Sequence, residues 1–434
     1  MLSLLALIAP LVLSMTDPWP TYRHDLNNSG AASGPSQAAS IRLRSRWTFT
    51  ADDRITSTPT VVDGEVFFGT FSGSVYAVDA NSGRKLWRHD LGNNPAGIKP
   101  YGGPRGVIGS VAIADGVAYA DSGSCVAAAF DARTGRELWR QKICDTRRYD
   151  DTYASPVVAN GVVLLGISMI ADEPTDRGRE IGLDARTGAV LWTNFPQRYR
   201  GTGAGITTTP AVDLENGIGY IGTGNPTPMD DPPAGPDPGS DSVIAFDIKT
   251  GKVRWVYGPV NPHDAFDLDF FASVNRFQIG SGSARRWIVG EASKNGTYYA
   301  LDALTGKLVW RDEMQPRDSW PLPMGTPAVG FGAIFVPIYV KDESGWLVAL
   351  RATDGAKLWQ HSTPGMYEAP VIWGRVLFVT EASGWLDAYR IGDGRRLGRW
   401  FVNGWLTGRG PSVAGDRLYL ATGQYLKVFD LKQP

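Results

Sequence analysis

Oxygen-bearing side chains occur in two nearby segments of this 434-residue chain. Asn225 lies in a Gly-Thr-Gly-Asn-Pro stretch, and Asp267 and Asp269 follow in an Asp-Leu-Asp stretch. Amide and carboxylate oxygens are the ligands that hard divalent cations prefer. If the two segments open neighbouring structural units, the three side chains could converge on one metal ion. The alternative is that they only form turns and cap loops, which is a common role of Asn and Asp.

The elements that would position these segments are copies of one repeated sequence unit. The unit reads apolar-x-Ala-x-Asp-x-x-(Thr/Ser)-Gly-x-x-x-Trp, and its last position falls at residues 87, 139, 192, 255, 310, 359 and 398. Successive copies are therefore 39 to 63 residues apart. The seventh copy has Gly398 in place of the tryptophan, with Trp400 two residues further on. We expect the loss of this anchor to weaken the seventh unit.

Each copy is typical of a hairpin within a four-stranded sheet. The Asp and Gly close a turn, and the Trp on the outgoing strand is expected to pack between neighbouring sheets. A further strand pair precedes each copy, as at residues 59–62 and 66–69. These repeats predict an all-β, eight-bladed β-propeller. Residues 46–49 near the N-terminus share the eighth blade with residues 418–430 near the C-terminus, which closes the ring.

The propeller accounts for residues 17–434 as a single domain. A net charge of −1 argues against a nucleic-acid partner. Residues 1–16 are an apolar run of signal-peptide length that is too short to span a bilayer comfortably. We therefore expect a periplasmic or secreted protein with no membrane span in its mature chain.

The two cysteines flank a predicted hairpin in the second repeat. If its turn is centred on residues 133–134, Cys125 lies opposite residue 143 or Cys144. Cross-strand neighbours have Cβ atoms about 4.5–5.5 Å apart, so a disulfide is within reach. We predict that Cys125 and Cys144 form this bond, and the alternative is two free buried thiols.

From Trp19 to its end, the chain resembles PQQ-dependent alcohol dehydrogenases and their polyvinyl-alcohol-dehydrogenase-like relatives. PQQ is pyrroloquinoline quinone, and the repeats of that family carry the same Asp-x-x-Thr-Gly-x-x-x-Trp pattern. Residues 222–226 are similar to the family stretch whose Asn ligates calcium. Residues 263–269 are similar to the family's His-Asp-x-Trp-Asp-Tyr segment. The resemblance thus implies the same propeller fold and a quinone cofactor.

The resemblance also implies roles for individual residues. Asn225 and Asp267 would bind the metal, and Asp267 would be the catalytic base. Asp269 falls where lanthanide-using members carry an additional carboxylate. Lys294, in a Lys-Asn-Gly turn, and Arg105 would contact the quinone. Asn-Gly also favours hairpin turns regardless of function, so an exposed hairpin position is the alternative for Lys294.

Glu173, or its neighbour Asp172, would correspond to the family's calcium-ligating Glu. The implied cofactors are therefore PQQ and Ca²⁺ or a lanthanide ion. In the implied reaction the metal polarises the quinone carbonyl, Asp267 removes the proton of an alcohol, and hydride passes to the quinone. The implied partners are a small-molecule alcohol or polyol and an electron acceptor such as a soluble cytochrome.

Two features depart from the family pattern. PQQ is often sandwiched there between a vicinal Cys-Cys disulfide and a Trp, but both cysteines of this chain lie away from residues 99–100. Residues 205–210 show Thr where the relatives have that Trp. These losses favour an alternative function, a non-catalytic propeller scaffold for protein–protein interaction in the cell envelope. An example is the propeller lipoprotein of the outer-membrane barrel-assembly machinery. The dehydrogenase is favoured by the joint retention of Asn225, Asp267, Asp269 and Lys294.

Overall fold

A computed structural model of the chain shows an almost entirely β structure. The residues it describes are 17–37, 40–94, 105–169, 177–196, 202–227, 239–259, 267–315, 321–340, 344–365, 368–381, 383–402 and 410–432. No helix among these residues is long and apolar enough to cross a membrane. The predicted signal segment 1–16 lies outside the described residues.

The strands form eight antiparallel four-stranded blades, as predicted, and the strands of each blade run in order from the innermost to the outermost. Blades 1 to 4 are Thr60–Val62, Glu65–Gly69, Ser74–Asp79 and Lys85–Asp90; Ala112–Ala114, Val117–Ser122, Val126–Asp131 and Glu137–Lys142; Val157–Ala159, Val162–Met169, Arg179–Asp184 and Val190–Asn194; and Ala211–Asp213, Ile218–Gly222, Val243–Asp247 and Val253–Tyr257. Blades 5 to 8 are Asn275–Ile279, Arg286–Ala292, Thr297–Asp302 and Leu308–Glu313; Ala328–Gly330, Ala333–Val340, Ser344–Arg351 and Lys357–Pro364; Val371–Trp373, Val376–Thr380, Trp385–Arg390 and Arg396–Phe401; and Ser412–Ala414, Arg417–Thr422, Tyr425–Lys432 and Arg42–Thr50. The short additional elements are the strands Ala31–Ala32, Asp150–Asp151, Thr202–Gly203, Pro226–Thr227 and Pro321–Leu322, and the 3-10 helices Thr146–Arg148 and Gly282–Ala284.

The ring closes in blade 8. Its outermost strand, Arg42–Thr50, comes from the N-terminal part of the chain and pairs antiparallel with Tyr425–Lys432. The predicted sharing of one blade between the two ends of the chain is therefore confirmed. First strands of successive blades pack beside one another, and the eight sheets surround a central channel.

The repeated Asp and Thr form the turn between the third and fourth strands. In blade 5, Asp302 Oδ1 accepts hydrogen bonds from the backbone N–H of Thr305 at 3.0 Å and from its hydroxyl at 2.8 Å. Gly306 follows with φ +68°, a left-handed conformation that favours glycine. The pattern Asp-x-x-Thr-Gly thus specifies this turn.

The repeated Trp joins each blade to the next one. Trp255 of blade 4 donates its indole N–H to the Ala303 carbonyl of blade 5 at 3.1 Å, and its ring lies on Gly306. A Cβ at Gly306 would lie 2.6 Å from that ring, so the glycine is needed for packing as well as for its φ. The predicted position of the Trp between sheets is confirmed. The same N–H to carbonyl contact joins Trp47 to Ala80, Trp87 to Ala132, Trp139 to Ala185, Trp192 to Ile248, Trp310 to Ala352, and Trp359 to Ile391.

In blade 7, a different tryptophan, Trp400, compensates for the one that is missing from the repeat. The Trp400 ring folds back over Gly398, where a Cβ would overlap it, and packs with the apolar cluster that includes blade 8. The link to blade 8 is made by Trp373, whose indole N–H donates to the Gly415 carbonyl at 2.9 Å. The space left by the lost anchor is therefore filled by a neighbouring indole.

Residues 17–37 form a strap inside the ring. The innermost strand of a blade has no neighbour on its channel side, so its backbone N–H groups need other acceptors. The strap supplies carbonyls to the first strands of six blades. The carbonyl to N–H pairs are Trp19 to Val61, Pro20 to Ile113, Leu26 to Val212, Asn27 to Arg276, Ser29 to Val329, and Gly30 to Ile372.

The predicted site residues in the described part of the chain all lie at one end of the ring, which we call the mouth. Strands alternate in direction, so the turns between second and third strands lie at the same end as the connections between blades. Asn225 and Lys294 lie in such turns of blades 4 and 5. Residues 267–269 belong to the connection from blade 4 to blade 5, and Arg105 to the connection from blade 1 to blade 2.

Candidate active site

Asn225 links blade 4 to the connection that leads into blade 5. Its side-chain Nδ2 donates to Asp267 Oδ1 at 2.9 Å, and its Oδ1 accepts from the Leu268 backbone N–H at 3.3 Å. Asn225 is 3% exposed, whereas the Asp267 side chain is 34% exposed toward the mouth. The two polar segments that the sequence indicated therefore meet, and the carboxylate of Asp267 is accessible.

Lys294 lies between the two carboxylates of the Asp-Leu-Asp segment. Its Nζ is 2.8 Å from Asp267 Oδ1 and 2.7 Å from Asp269 Oδ1. Its backbone N–H donates to the Asp269 carbonyl at 3.0 Å, and the Ser293 hydroxyl donates to the Leu268 carbonyl at 2.6 Å. Only 10% of the Lys294 side chain is exposed, which excludes the alternative of an exposed hairpin residue.

Burial and charge together set the protonation of this cluster. Burial raises the pKa of Asp269 to about 7; the positive charge of Lys294 opposes this shift, and the negative charges of Asp267 and Asp241 add to it. Burial alone would lower the pKa of Lys294, but the carboxylates of Asp269 and Asp267 outweigh burial and raise that pKa. Lys294 therefore carries its positive charge at neutral pH.

Asp241, which ends a Pro- and Asp-rich stretch of the sequence at residues 230–241, also lies at this cluster. Its backbone N–H donates to the Gly224 carbonyl at 3.0 Å, directly beside Asn225. Residue Asp241 is buried, and its charge acts on Asp269. The loop thus contributes a third carboxylate close to the two that the motif supplied.

A fully buried carboxyl group, Glu291, lies behind the Gly-Thr-Gly-Asn turn. A Cβ at Gly222 would overlap its carboxyl group, so only glycine fits there. Burial raises the pKa of Glu291 well above its usual value, and the charge of Asp269 adds to the shift. Burial thus favours the protonated, neutral form of Glu291. Sequence reasoning missed it because it lies within an ordinary apolar strand, Arg286–Ala292.

Arg105 lies across the mouth in a separate ion pair. Its Nη1 is 2.7 Å from Asp151 Oδ2, and its guanidinium carbon is 3.9 Å from the centre of the Tyr153 ring. Burial raises the pKa of Asp151 to about 6, and the charge of Arg105 opposes that shift. The sequence indicated Arg105 but neither of these partners.

Two aromatic rings join Arg105 to Lys294. Tyr153 meets Phe271 edge to face, with ring centres 6.4 Å apart, and Lys294 Nζ lies 5.2 Å from the centre of the Phe271 ring. Each ring thus has a cation within the range of a cation–π contact. Both rings are partly exposed. The mouth therefore presents an aromatic surface with one cation at each side.

The predicted disulfide is present. Cys125 and Cys144 are bonded with Cα atoms 4.8 Å apart, and the Ile143 backbone N–H donates to the Cys125 carbonyl at 2.9 Å. The bond lies beside the Asp150–Asp151 strand, since Cys125 Sγ is 3.9 Å from the Asp150 carbonyl oxygen. It thus supports the segment that holds Arg105.

The remaining positions singled out in the sequence either lie outside the described residues or form other contacts. Glu173 and Asp172, the candidates for the family's calcium-ligating Glu, lie outside the described residues, as do residues 263–266. Thr208 in the segment expected to lack a Trp is buried. Its hydroxyl donates to the Gly222 carbonyl at 2.9 Å and accepts from the Gly222 N–H at 3.0 Å. In the segment where the relatives have the Trp, Thr208 is thus hydrogen-bonded to the neighbouring strand Ile218–Gly222.

The chain belongs to the PQQ_2 family of propeller repeats, described as outer membrane protein assembly factor BamB. The family model matches residues 44–168, 72–276 and 294–432. Among individual proteins, the chain is similar to the polyvinylalcohol dehydrogenase of a Pseudomonas species. The two are 27% identical over 420 residues, which cover 85% of this chain and 62% of that protein. This chain thus spans less than two thirds of that relative's length.

Solved structures confirm the fold. The quinohemoprotein alcohol dehydrogenase from Comamonas testosteroni superposes with a TM-score of 0.82 at 20% identity, covering 96% of this chain and 81% of that chain. A europium-containing methanol dehydrogenase gives a TM-score of 0.81 at 18% identity, covering 95% of this chain and 98% of that chain. The eight-bladed propeller predicted from the sequence is therefore confirmed.

Proposed function

We propose that this protein is a PQQ- and metal-dependent dehydrogenase that oxidises an alcohol. The observation that carries the proposal is the cluster of Asn225, Asp267, Asp269 and Lys294 at the mouth. Similarity to proteins named polyvinylalcohol dehydrogenase and quinohemoprotein alcohol dehydrogenase supports the reaction class. The similarity to a europium-containing methanol dehydrogenase supports a metal.

The donor set of the cluster fits a hard cation. The side chains of Asn225, Asp267 and Asp269 supply amide and carboxylate oxygens, which Ca²⁺ and lanthanide ions prefer. We assign these three residues as ligands, with Glu173 as a fourth. Lys294 lies 2.7–2.8 Å from both carboxylates, so the charge of the cluster is already balanced in part before a cation binds. If Asp241 also contributes, four carboxylates around one cation would favour the higher charge of a lanthanide.

The aromatic surface fits the quinone. PQQ is a flat, anionic ring system, and the mouth offers Tyr153 and Phe271 between the cations of Arg105 and Lys294. We propose that the quinone lies against these two rings and that the two cations bind its oxygen atoms. This arrangement would replace the Trp and the vicinal disulfide found in many relatives.

Asp267 is the residue we assign as the base. Its described hydrogen bonds, from Asn225 Nδ2 and Lys294 Nζ, both reach Oδ1, which fixes the orientation of the carboxylate. We assign the second oxygen, Oδ2, to the alcohol proton, because a base must lie within hydrogen-bond distance of the proton it removes. When bound, the quinone supplies a two-electron oxidant and the cation supplies a Lewis acid. Lys294 would stabilise negative charge that develops close to its Nζ.

We also propose a location outside the cytoplasm and a separate electron acceptor such as a soluble cytochrome. The Cys125–Cys144 disulfide supports an oxidising compartment, because such bonds form and persist there. The substrate would be a small-molecule alcohol or polyol that reaches Asp267 from the mouth.

The function is tested by alcohol-dependent dye reduction after loading the protein with PQQ and either Ca²⁺ or La³⁺. We expect activity with at least one of a panel of primary, secondary and polymeric alcohols. Asp267→Asn should retain PQQ binding and lose at least about 100-fold in rate, the scale of general base catalysis. Asp416→Asn, at an exposed turn of blade 8, is the matched control and should stay active. An active Asp267→Asn protein would refute the assignment of the base.

A non-catalytic scaffold remains the second candidate, and the BamB description of the family favours it. A scaffold needs no quinone, so it predicts no PQQ binding with either metal. It also predicts that substitution of Asp267 leaves every measured property except stability unchanged. The dye-reduction and binding experiments therefore distinguish the two candidates.

A further inference from the structure

Arg23 of the strap lies inside the ring, far from solvent. Its side chain is completely buried, and its backbone has φ +56°. Nη2 donates to the carbonyl of Pro327 at 3.3 Å and makes a closer contact with the carbonyl of Pro370. These two prolines immediately precede the first strands of blades 6 and 7. The guanidinium thus reaches the inner wall of the channel.

Two nitrogen atoms of this guanidinium have no acceptor within the described part of the chain. Nε and Nη1 of Arg23 have no hydrogen-bond partner among the residues that the structure describes. The acid nearest in sequence, Asp25, is engaged elsewhere. Its Oδ1 accepts from the backbone N–H groups of Asn27 and Ser29, and its Oδ2 accepts from the Ser29 hydroxyl. Arg23 is therefore a buried cation with no carboxylate bonded to it in the described part of the chain.

Such a cation is costly to bury without a counter-charge. Transfer of a charged group from water costs several kcal/mol unless the group is paired and hydrogen-bonded. Burial lowers the pKa of Arg23 to about 10, and the neighbouring Tyr22 and Asp25 oppose that shift. The group nevertheless remains charged at neutral pH. Two carbonyl contacts at Nη2 provide hydrogen bonds but no negative charge.

The strap is shaped around this side chain. Gly30 has φ +62°, and a Cβ at that position would overlap the guanidinium of Arg23. Beside Arg23 in the strap, Tyr22 is hydrogen-bonded to Thr326 of the wall at 2.9 Å. Equivalent hydroxyls on successive blades accept the backbone N–H of the preceding blade, in the order Ser110 to Ser155, Ser155 to Thr209, Thr209 to Ser273, and Ser273 to Thr326. This row of hydroxyl groups at blades 3 to 6 offers hydrogen bonds but no negative charge.

We propose that a small inorganic anion such as chloride binds inside the ring, at Nε and Nη1 of Arg23. The anion supplies the missing negative charge and accepts the two donors that have no partner in the described part of the protein. By neutralising Arg23, the anion stabilises the contact of the strap with the carbonyl groups of blades 6 and 7. Neither Arg23 nor its carbonyl partners belong to the candidate active site, and the proposal does not depend on the proposed reaction.

Bromide is the probe, because its anomalous scattering locates it directly. Crystals of the full chain are grown in chloride-free buffer and soaked in sodium bromide. We expect an anomalous peak within hydrogen-bond distance of Arg23 Nε and Nη1. In solution, the melting temperature should rise and saturate with bromide, relative to sodium gluconate at equal ionic strength. Linkage predicts a rise of about 3 °C at about 100 times the Kd for a chain of this size.

Arg23→Met removes the charge and keeps the length of the side chain. Its melting temperature should follow ionic strength alone, whereas Arg147→Met, at an arginine with 84% of its side chain exposed, should keep the bromide response. The anomalous experiment uses the wild-type protein, so the proposal is testable even if Arg23→Met does not fold. Water alone beside Arg23 in bromide-soaked crystals, with no specific halide effect on melting, would overturn the proposal. Neither readout requires PQQ or activity.

Discussion

Substitution of Lys294 by Met should destabilise the metal-free protein and strengthen its response to calcium. The ammonium group lies 2.8 Å from Asp267 and 2.7 Å from Asp269, and both it and Asp269 are largely buried. Removal of one partner from a buried ion pair typically costs about 3–5 kcal/mol, because it leaves an uncompensated charge. Asn225 still donates to Asp267, and the cost of burying the lysine disappears, so we expect the lower end, about 3 kcal/mol.

This loss should be visible in thermal unfolding. Unfolding entropy scales with chain length, so about 3 kcal/mol corresponds to a decrease of about 3 °C in the melting temperature for 434 residues. Calcium should then raise the melting temperature of Lys294→Met by more than it raises that of the wild type. The reason is that the cation no longer competes with the ammonium group for the two carboxylates. Differential scanning calorimetry with and without calcium measures both quantities.

Two controls isolate the charge. Lys307→Met makes the same change at an exposed position of blade 5 and should alter neither the melting temperature nor the calcium response. Lys294→Arg keeps the charge and should lie between the wild type and Lys294→Met in stability. If Lys294→Met melted with the Lys307→Met control and responded equally to calcium, the charge coupling derived for the cluster would be wrong.

Three further predictions concern the scaffold. Gly306→Ala should destabilise the protein by about 1–3 kcal/mol more than Gly64→Ala in urea unfolding. Both glycines have positive φ, but only Gly306 lies against a tryptophan ring. Equal losses of unfolding free energy in the two variants would contradict the blade-to-blade role of Trp255. Replacing Cys125 and Cys144 by Ala opens a loop of sequence separation 19 and should lower the free energy of unfolding by about 3 kcal/mol in the same measurement. An unchanged urea midpoint would contradict this expectation. Burial, aided by the charge of Asp63, raises the pKa of Glu65 to about 7 from 4.5, so the folded protein should lose stability as pH rises from about 4.5 to 7. Glu65→Gln should therefore be more stable than the wild type by about 1 kcal/mol at pH 8, after allowance for partial exposure, and equal to it below pH 4.5. Glu215→Gln makes the same change at an exposed position and is the matched control.

The propeller fold could be predicted because the motifs that specify it are short and recur along the chain. Each Asp-x-x-Thr-Gly turn and its following Trp lie within one short segment, so the sequence alone indicates the hairpin. The contact of Trp255 with Gly306 was not foreseen, because the two residues belong to successive copies and meet only after the blades pack. The strap carries no repeat, and its carbonyls bind strands that are distant in sequence. No periodic pattern could have indicated it.

The candidate site likewise contains residues that the sequence indicated and residues that it did not. Asn225, Asp267, Asp269 and Lys294 belong to short motifs, and the structure places them together. Tyr153 and Phe271 were missed because they come from different blade connections and carry no motif of their own. One signal in the sequence could have indicated Tyr153. Arg105 at the rim of the channel needs a carboxylate partner, and Asp150 and Asp151 lie just before Tyr153 in the sequence. The departure of residues 205–210 from the family pattern was visible, but not the hydrogen bonds that Thr208 makes instead.

The measurement that tests the central claim most directly is an equilibrium titration of the purified protein with PQQ. Quinone absorbance would be recorded in the absence of metal, with Ca²⁺ and with La³⁺. The proposed active site predicts saturable binding at one PQQ per chain that requires a metal. It also predicts weaker binding when Asn225, Asp269 or Arg105 is replaced by Ala, and unchanged binding in Lys307→Met. Absence of binding with either metal, or binding that needs no metal and is unaffected by these substitutions, would contradict it.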